Sequence, residues 1–428
     1  MTTEPKVKTV DACRVCGLRL PTTPTFSLGE LFVSDFLSSG KTREGQRAPL
    51  ELVLCEKKSG GCGLLQLKHT VSHEAMYRNY WYRSGMNKTM TDELNGIAAK
   101  VESLVGLKDG HFVVDIGAND GTLLRGYKKR GINLTGFEPA KNLAQHNCVG
   151  TTKVIEDFFS FEGWQQEFGN AKAIAITAIA MFYDLDDPNK FVSDVVKCLD
   201  DEGVFIVQMS YLPLMLSQNA FDNICHEHLK YYSLLSLEHL LGRHNLEVFD
   251  VELNDINGGS FRIYIRHRDK GSSIHITPEV SLARVESLRA WERKLCLDTQ
   301  EPYRMFAERV TAIRDEVTSF IKREVGKGKK VYVYGASTKG NTLLQYFNLD
   351  YHLITAAAER NPDKWGKKTI GTNIPIISEE QARKDAPDYF LVLPWHFTRE
   401  FRIRESDYLA QGGKLIIPLP SFSIIENA

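Results

Sequence analysis

FVVDIGANDGTLL, residues 112–124, is the stretch whose reading decides the fold. Its apolar, β-prone opening at 112–116 contains Asp115 and leads to Gly117; the chain then passes through Ala118-Asn119-Asp120-Gly121, and an apolar helix-like run begins at Thr122. This is a strand, a tight glycine loop and a helix start. Glycine lets backbone come close to a ligand, and a helix start presents unpaired N–H groups to it. A nucleotide-type cofactor is the expected ligand.

The spacing narrows the choice. A dinucleotide fingerprint requires G-x-G-x-x-G, and this loop carries Asn119 at the second glycine. The D-x-G-x-N-D-G pattern resembles the first motif of class I S-adenosylmethionine (SAM) methyltransferases, in which the loop packs against the amino-acid end of the cofactor. The expected cofactor residues are Asp115, Gly117, Asn119, Asp120 and Gly121, joined by Glu138 and Pro139 after the next strand (133–137). Glu138 follows Gly117 by 21 residues, where a carboxylate can take both ribose hydroxyls. A third strand (153–155) precedes Asp157 and Phe158, an acid and a ring suited to an adenine amino group and face. The same pair also reads as a solvated acid beside a core aromatic.

At 428 residues and 43% hydrophobic, the chain has material for two or three domains with ample core. The net charge of −1 is spread out, so no basic footprint points to nucleic acid or an anionic membrane surface. There is no apolar leader and no run of about 18 apolar residues, so a soluble cytoplasmic protein is expected. The eight cysteines then read as thiols or metal ligands rather than a disulfide framework. Cys13 and Cys16 form a C-x2-C knuckle, and Cys55 and Cys62 form a wider second pair around EKKSGG. Four thiolates from two turns match a closed, structural tetrahedral zinc site, with free thiols as the alternative. Because the second pair is wide, His69 is a possible substitute ligand.

Along the chain, residues 25–37 read as a strand and turn, and 50–67 as two strands flanking the second cysteine pair. Residues 77–87, YRNYWYRSGMN, combine rings with Arg78 and Arg83; they suit either a ligand cavity or packing between domains. A helix is expected over 89–107, strands at 173–177 and 204–209, and a helix at 189–198. Alternation of strand and helix predicts a doubly wound parallel sheet with ligands at the carboxyl ends of its strands. After an irregular segment (210–232) come a helix (233–244) and a hairpin, 246–253 with 260–267, turned at Asn257-Gly258-Gly259. A helical region over 279–324 is interrupted by Pro302. A second strand and glycine turn follows, VYVYGASTKGNTLLQYF at 331–347, where Ser337, Thr338 and Lys339 suit phosphates. Strands at 353–358, 389–393 and 414–417 complete a small Rossmann-like sheet.

The irregular segment holds Cys225-His226-Glu227-His228, followed by Tyr231 and Tyr232. In an extended loop, residues two apart share a side, so both histidines could face one site. A metal at H-x-H would need a third ligand, and none is apparent. The favoured reading makes one histidine a general base with pKa near working pH, oriented by Glu227 or a tyrosine. A hydrogen-bonded structural histidine is the alternative.

Taken together, the cysteine knuckles, YWYRSGMNKT, VDIGANDGTLL, FEPAKN, FDNICHEHLKYYS, NGGSFRIYI, YGASTKGNTLLQYF and LPWHF resemble the sugar C-methyltransferases that act on nucleotide-linked 4-ketohexoses. The resemblance spans nearly the whole chain. It implies an α/β protein with a small N-terminal zinc-binding domain (1–72), a central class I methyltransferase Rossmann-like domain (73–275), and a helical linker with a C-terminal Rossmann-like domain (276–428). The implied cofactors are SAM and structural Zn2+. The family's Y-H-E-H stretch supplies an active-site tyrosine, a glutamate and a final histidine as base. Here His228 and Glu227 carry over, His226 lies between them and Cys225, and Cys225 replaces the tyrosine. Tyr231, Tyr232 or Tyr183 could take its place. Tyr77, Tyr82, Arg83, Ser84, Asn87 and Tyr183 are expected near the sugar or diphosphate, with Ser337, Thr338 and Lys339 at the nucleotide end. The implied substrate is a TDP-, GDP- or CDP-linked 4-keto-6-deoxyhexose, deprotonated beside its ketone and methylated on carbon, C3 rather than C5. Alternatives are O- or N-methylation of a nucleotide sugar, or a non-catalytic zinc and nucleotide scaffold. A monomer is expected, since the three parts can cover one another's apolar faces.

Overall fold

Near-continuous apolar runs such as Phe112–Ile116 and Ala173–Ile179 bury both faces, which only a sheet covered by helices on both sides allows. The computed structural model, which describes residues 7–38, 45–72, 76, 80, 82–270, 274–275 and 277–426, builds a seven-stranded sheet from them. Its order is Leu246–Asn254, Ser260–His267, Leu199–Ser210, Ala173–Ile179, Phe112–Ile116, Asn133–Phe137 and Lys153–Ile155. Ser260–His267 runs antiparallel to both neighbours; the other pairings are parallel. The expected hairpin is present, although Gly258 and Gly259 close a 3-10 turn in which Asn257 takes φ +56°.

A second, six-stranded sheet is formed near the C-terminus in the order Ile376–Ser378, Ala357–Glu359, Val331–Tyr334, Tyr389–Val392, Lys414–Ile417 and Ser423–Ile425. The expected strand at 353–358 is only Ala357–Glu359, because Asp350 accepts the amides of Leu353 and Ile354 and turns the chain there. Pro302 does interrupt the long helical region: Pro278–Leu295 ends before it, and Glu301–Gly326 uses it in its first turn, where its missing N–H costs nothing.

The three parts are knitted together rather than strung in a row. Lys230–Tyr231, from the irregular segment, pairs antiparallel with Leu65–Leu67 and so becomes the fourth strand of the N-terminal sheet. Lys367–Thr369 pairs with Phe36–Ser38, joining the two ends of the chain. Helix Pro278–Leu295 lies on the central sheet, where Arg284 makes two hydrogen bonds to the buried Asp250 (2.8 and 2.6 Å).

On the same helix Glu292, 1% exposed, accepts from Leu234 N (2.5 Å), Leu235 N (2.9 Å) and the Tyr211 hydroxyl (2.5 Å). It therefore caps the helix Leu234–Gly242 from outside, satisfying two of its unpaired first-turn amides. Glu292→Ala leaves three buried donors unpaired and should lower the unfolding free energy by about 3 kcal/mol in urea titration. An unchanged midpoint would show that the helix is held by packing alone.

Candidate active site

The strand Phe112–Ile116 delivers Asp115 and Gly117 to the carboxyl edge of the central sheet. Gly117 has φ +72°, and its amide donates to Phe137 O (2.9 Å), so the loop folds back over the next strand. Asn119 N donates to Glu138 Oε2 (2.7 Å), Ala140 N donates to Glu138 Oε1 (2.8 Å), and Thr177 Oγ1 donates to Asp115 Oδ1 (2.7 Å). Burial raises both carboxyls to about 7, against those hydrogen bonds. Two desolvated acids at a strand edge are poised for donors such as ribose hydroxyls or an ammonium.

Asp115, Gly117, Asn119, Glu138, Pro139, Asp157 and Phe158 line one cavity of about 450 Å³. Asp120 and Gly121 do not. The Asp120 carboxylate accepts from Thr122 Oγ1 (2.6 Å) and from Gly85 N (2.8 Å), so it fastens the helix start and the segment 84–86 instead. Asn119 adds to that fastening, accepting from Ser84 N (3.0 Å) and donating to Tyr82 O (3.1 Å).

The far wall of the cavity comes from the C-terminal sheet. Gly335 (φ +85°), Ser337, Thr338 and Lys339 line it with Arg360, Lys364, His396 and Arg404. The two glycine turns are built alike. Gly335 N donates to Ala358 O (2.8 Å), and Ala336 N donates to Glu359 Oε2 (2.9 Å), as Gly117 and Asn119 do toward Phe137 and Glu138.

Of the residues expected at the sugar, Tyr82, Ser84, Asn87 and Tyr183 line the cavity, whereas Arg83 does not. Tyr77 and Arg78 lie outside the described residues. Tyr80, which the sequence analysis did not single out, also lines the cavity; its backbone exchanges two hydrogen bonds with the Asn142 side chain (3.1 and 2.8 Å). Its signal was its place in the aromatic run 77–82.

The irregular segment enters between these walls, and its side chains divide. His228 lines the cavity. Its Nδ1 lies 2.7 Å from Asn223 O; a carbonyl only accepts, so Nδ1 carries the hydrogen and Nε2 keeps the lone pair. Tyr183 lies against the ring, centroids 4.2 Å apart. Burial first, and the charge of Lys339 second, lower His228 to about 3, well below the working range expected for a base. His226 points elsewhere: its Nε2 is 3.0 Å from Ala48 O in the N-terminal sheet, so the two histidines do not share a side. Glu227, Cys225, Tyr231 and Tyr232 are buried without lining the cavity. The Tyr231 hydroxyl donates to Asn223 O (3.4 Å), and the Tyr232 ring packs on Phe182 (5.6 Å), near the cysteine cluster. Tyr183 is thus the candidate named in place of the missing tyrosine that faces the cavity beside His228.

Remote from the cavity, Cys13, Cys16, Cys55 and Cys62 gather with all four sulfurs within 4.8 Å of one another. Cys13–Cys62 and Cys16–Cys55 are 3.6 and 3.5 Å apart, too long for disulfides and close to the ~3.8 Å edge of a tetrahedron with ~2.3 Å zinc–sulfur bonds. The donor set fits zinc. His69 does not join it, being held by Glu51 (3.1 Å) and Thr9 (3.3 Å).

Three family models match in succession: a zinc binding domain over residues 13–77, a methyltransferase domain over 82–251, and a C-methyltransferase C-terminal domain over 255–420. C-methyltransferase NovU from Streptomyces niveus is 31% identical over 427 residues, covering 98% of each chain. The chain belongs to the C-methyltransferase family. It is a SAM-dependent methyltransferase whose fold and cofactor agree with the resemblance read from its motifs. Among solved structures, the mitomycin 7-O-methyltransferase MmcR is 17% identical, with 42% of this chain and 55% of that one covered and a TM-score of 0.33. The magnesium protoporphyrin IX methyltransferase of Synechocystis PCC 6803 is 10% identical, with 41% and 79% covered and a TM-score of 0.32. No helix among the described residues is long and apolar enough to cross a membrane.

Elemental analysis of the C-methyltransferase should return one zinc per chain, and Cys55→Ser should release it and lower Tm by several degrees, since metal-binding energy is folding energy at such a site. A metal-free protein of unchanged Tm would assign the cluster to free thiols.

Proposed function

We propose that the enzyme methylates the carbon beside the ketone of a nucleotide-linked 4-keto-6-deoxyhexose, at C3 rather than C5. The observation that carries this reading is the His228 imidazole, kept neutral by burial and by the charge of Lys339, with its Nδ1–H fixed on Asn223 O so that Nε2 carries the lone pair, in a cavity that joins two nucleotide-type βα turns. A C–H next to a ketone is acidic because its anion is an enolate, so a positioned neutral imidazole is the right kind of base. O- or N-methylation needs no such C–H removal.

In this reading Asp115, Glu138, Asp157 and Phe158 hold SAM, which when bound supplies an electrophilic methyl group to the carbon nucleophile. His228 Nε2 takes the proton; the C–H electron pair becomes the enolate double bond and the carbonyl pair moves to oxygen. Tyr183 fixes the ring, and Tyr82, Ser84 and Asn87 border the sugar. On the C-terminal wall Arg360 is the basic side chain suited to a diphosphate, since Lys364 is paired with Glu359 (3.5 Å) and Arg404 with Glu379 (3.0 Å). Glu227 does not line the cavity, so it takes no direct part in this step.

Purified enzyme would be incubated in deuterated water with SAM and TDP-, GDP- and CDP-linked 4-keto-6-deoxyhexoses, with mass and NMR readout. The expected product gains one methyl on a carbon next to the ketone, and substrate without SAM takes up deuterium there. His228→Gln should slow that exchange by about 10²-fold or more while SAM still binds. A new methyl on oxygen or nitrogen, or His228→Gln exchanging like wild type, would overturn the assignment.

A further inference from the structure

Lys339 was expected beside phosphates. In the structure it also reaches the irregular segment. It belongs to the C-terminal glycine turn, yet its Nζ donates to Asn223 Oδ1 at 2.5 Å, across the boundary into the irregular segment of the central unit. Asn223 is the residue whose backbone carbonyl accepts from His228 Nδ1 at 2.7 Å. One asparagine therefore holds the ammonium by its side chain and the imidazole by its backbone. Both held groups line the same cavity.

Asp222 completes the arrangement. It is 4% exposed and lines the cavity; its Oδ2 accepts from Trp395 Nε1 at 3.1 Å, while its Oδ1 is buried with no hydrogen-bond partner among the described residues. A buried carboxylate oxygen without a donor is costly. Burial lowers the basicity of Lys339, the negative charge of Asp222 opposes that, and the positive charge of Lys339 reaches both His228 and His396. The His396 Nδ1, on the same wall, likewise has no hydrogen-bond partner among the described residues. Donors and acceptors are thus left over where the two units meet, around a single cation.

An ammonium has three donor positions, and Asn223 takes one. We propose that Lys339 is a catalytic residue of the methyl-transfer site, donating to the ketone oxygen of the substrate and to the enolate oxygen that replaces it, rather than a diphosphate ligand. The balance is simple. When His228 Nε2 accepts the carbon-bound proton, the negative charge arrives on the ketone oxygen and is met there by the Lys339 ammonium, which keeps its proton. Asn223 sets the distance between base and cation, so proton removal and charge stabilisation are coupled through one residue. The C-terminal unit thereby takes part in the chemistry and does more than hold the nucleotide.

This rests on the ketosugar reading, so the test separates the two. Wild-type enzyme is first required to exchange deuterium next to the ketone of at least one nucleotide-linked 4-keto-6-deoxyhexose; no exchange with any of them overturns both the reading and the role of Lys339. With an exchanging substrate, Lys339→Met and Lys339→Gln are compared in the full-length chain, after circular dichroism and Tm confirm the fold. Exchange at saturating substrate should fall by about 10²–10³-fold in both, the usual loss of an oxyanion donor. Calorimetric binding of the matching nucleoside diphosphate should stay within about threefold. If instead diphosphate binding collapses while exchange at saturation is retained, Lys339 is a phosphate ligand and the proposal fails. Should one variant not fold, the other decides on the same two readouts; should neither fold, Asn223→Ala takes their place, expected to slow exchange while diphosphate binding holds, and unchanged exchange counts against the proposal.

Discussion

The active-site segment has no sheet of its own, and that constraint shapes the whole molecule. Residues 219–232 are almost entirely buried, and buried backbone N–H and C=O groups must find partners. The backbone partners come from the N-terminal and central parts, and side chains of the segment reach the C-terminal one. Leu67 N donates to Leu229 O (2.9 Å) and Lys230–Tyr231 pairs with Leu65–Leu67 in the N-terminal sheet. Leu229 N donates to Tyr183 O (3.0 Å) in the central unit, and the side chains of Asn219 and Asp222 bond Pro420 O (2.9 Å) and Trp395 Nε1 (3.1 Å) in the C-terminal one. The position of His228 is therefore set by the assembled chain and by no single unit of it. The zinc cluster gains a role from the same constraint: it closes the knuckles whose sheet carries Leu65–Leu67, and Asn189 docks that sheet on the centre through Arg14 O and Val15 O (both 3.0 Å).

What could be read from the residues alone follows the range of the forces involved. The two glycine turns, the acid after the central unit's second strand and the cysteine knuckles are local: positive φ, strand alternation and ligand spacing are written into a few neighbours. The central sheet and its hairpin were legible for that reason. The pairing of Lys230–Tyr231 was not, because a two-residue strand has no period and its partner lies over 160 residues away. The expectation that His226 and His228 could face one site fails for a related reason. Two residues apart would share a side only in an extended chain, but 221–223 is a 3-10 turn and His228 N donates back to Cys225 O (3.1 Å), so the rings diverge.

The twin turns invite a comparison that sequence spacing does not. Each places a carboxylate at the end of its second strand, yet the two acids are in opposite states. Glu138 accepts two backbone amides and is otherwise desolvated, which raises it to about 7 and leaves it short of donors. Glu359 accepts the amides of Ala336, Arg360 and Asn361 (each 2.9 Å) and also faces Lys364 Nζ (3.5 Å). It is saturated. The same local architecture thus yields an acid short of donors on one wall and a satisfied acid on the other, where Lys364 and Arg404 are themselves paired with Glu359 and with Glu379 and Glu400.

The low basicity of His228 then becomes intelligible. Burial and the neighbouring ammonium both oppose a second positive charge, so the imidazole stays neutral and able to accept a proton through the physiological range. A base held at about 3 is weak in the free site, but the two causes do not survive the reaction equally. In the proposed reaction desolvation remains, while negative charge developing on the ketone oxygen would offset the repulsion from Lys339. In that reaction the basicity of the imidazole would therefore rise as the enolate forms and fall again once a methyl group removes that charge. A site arranged in this way favours the proton-bound state only while the carbon is nucleophilic.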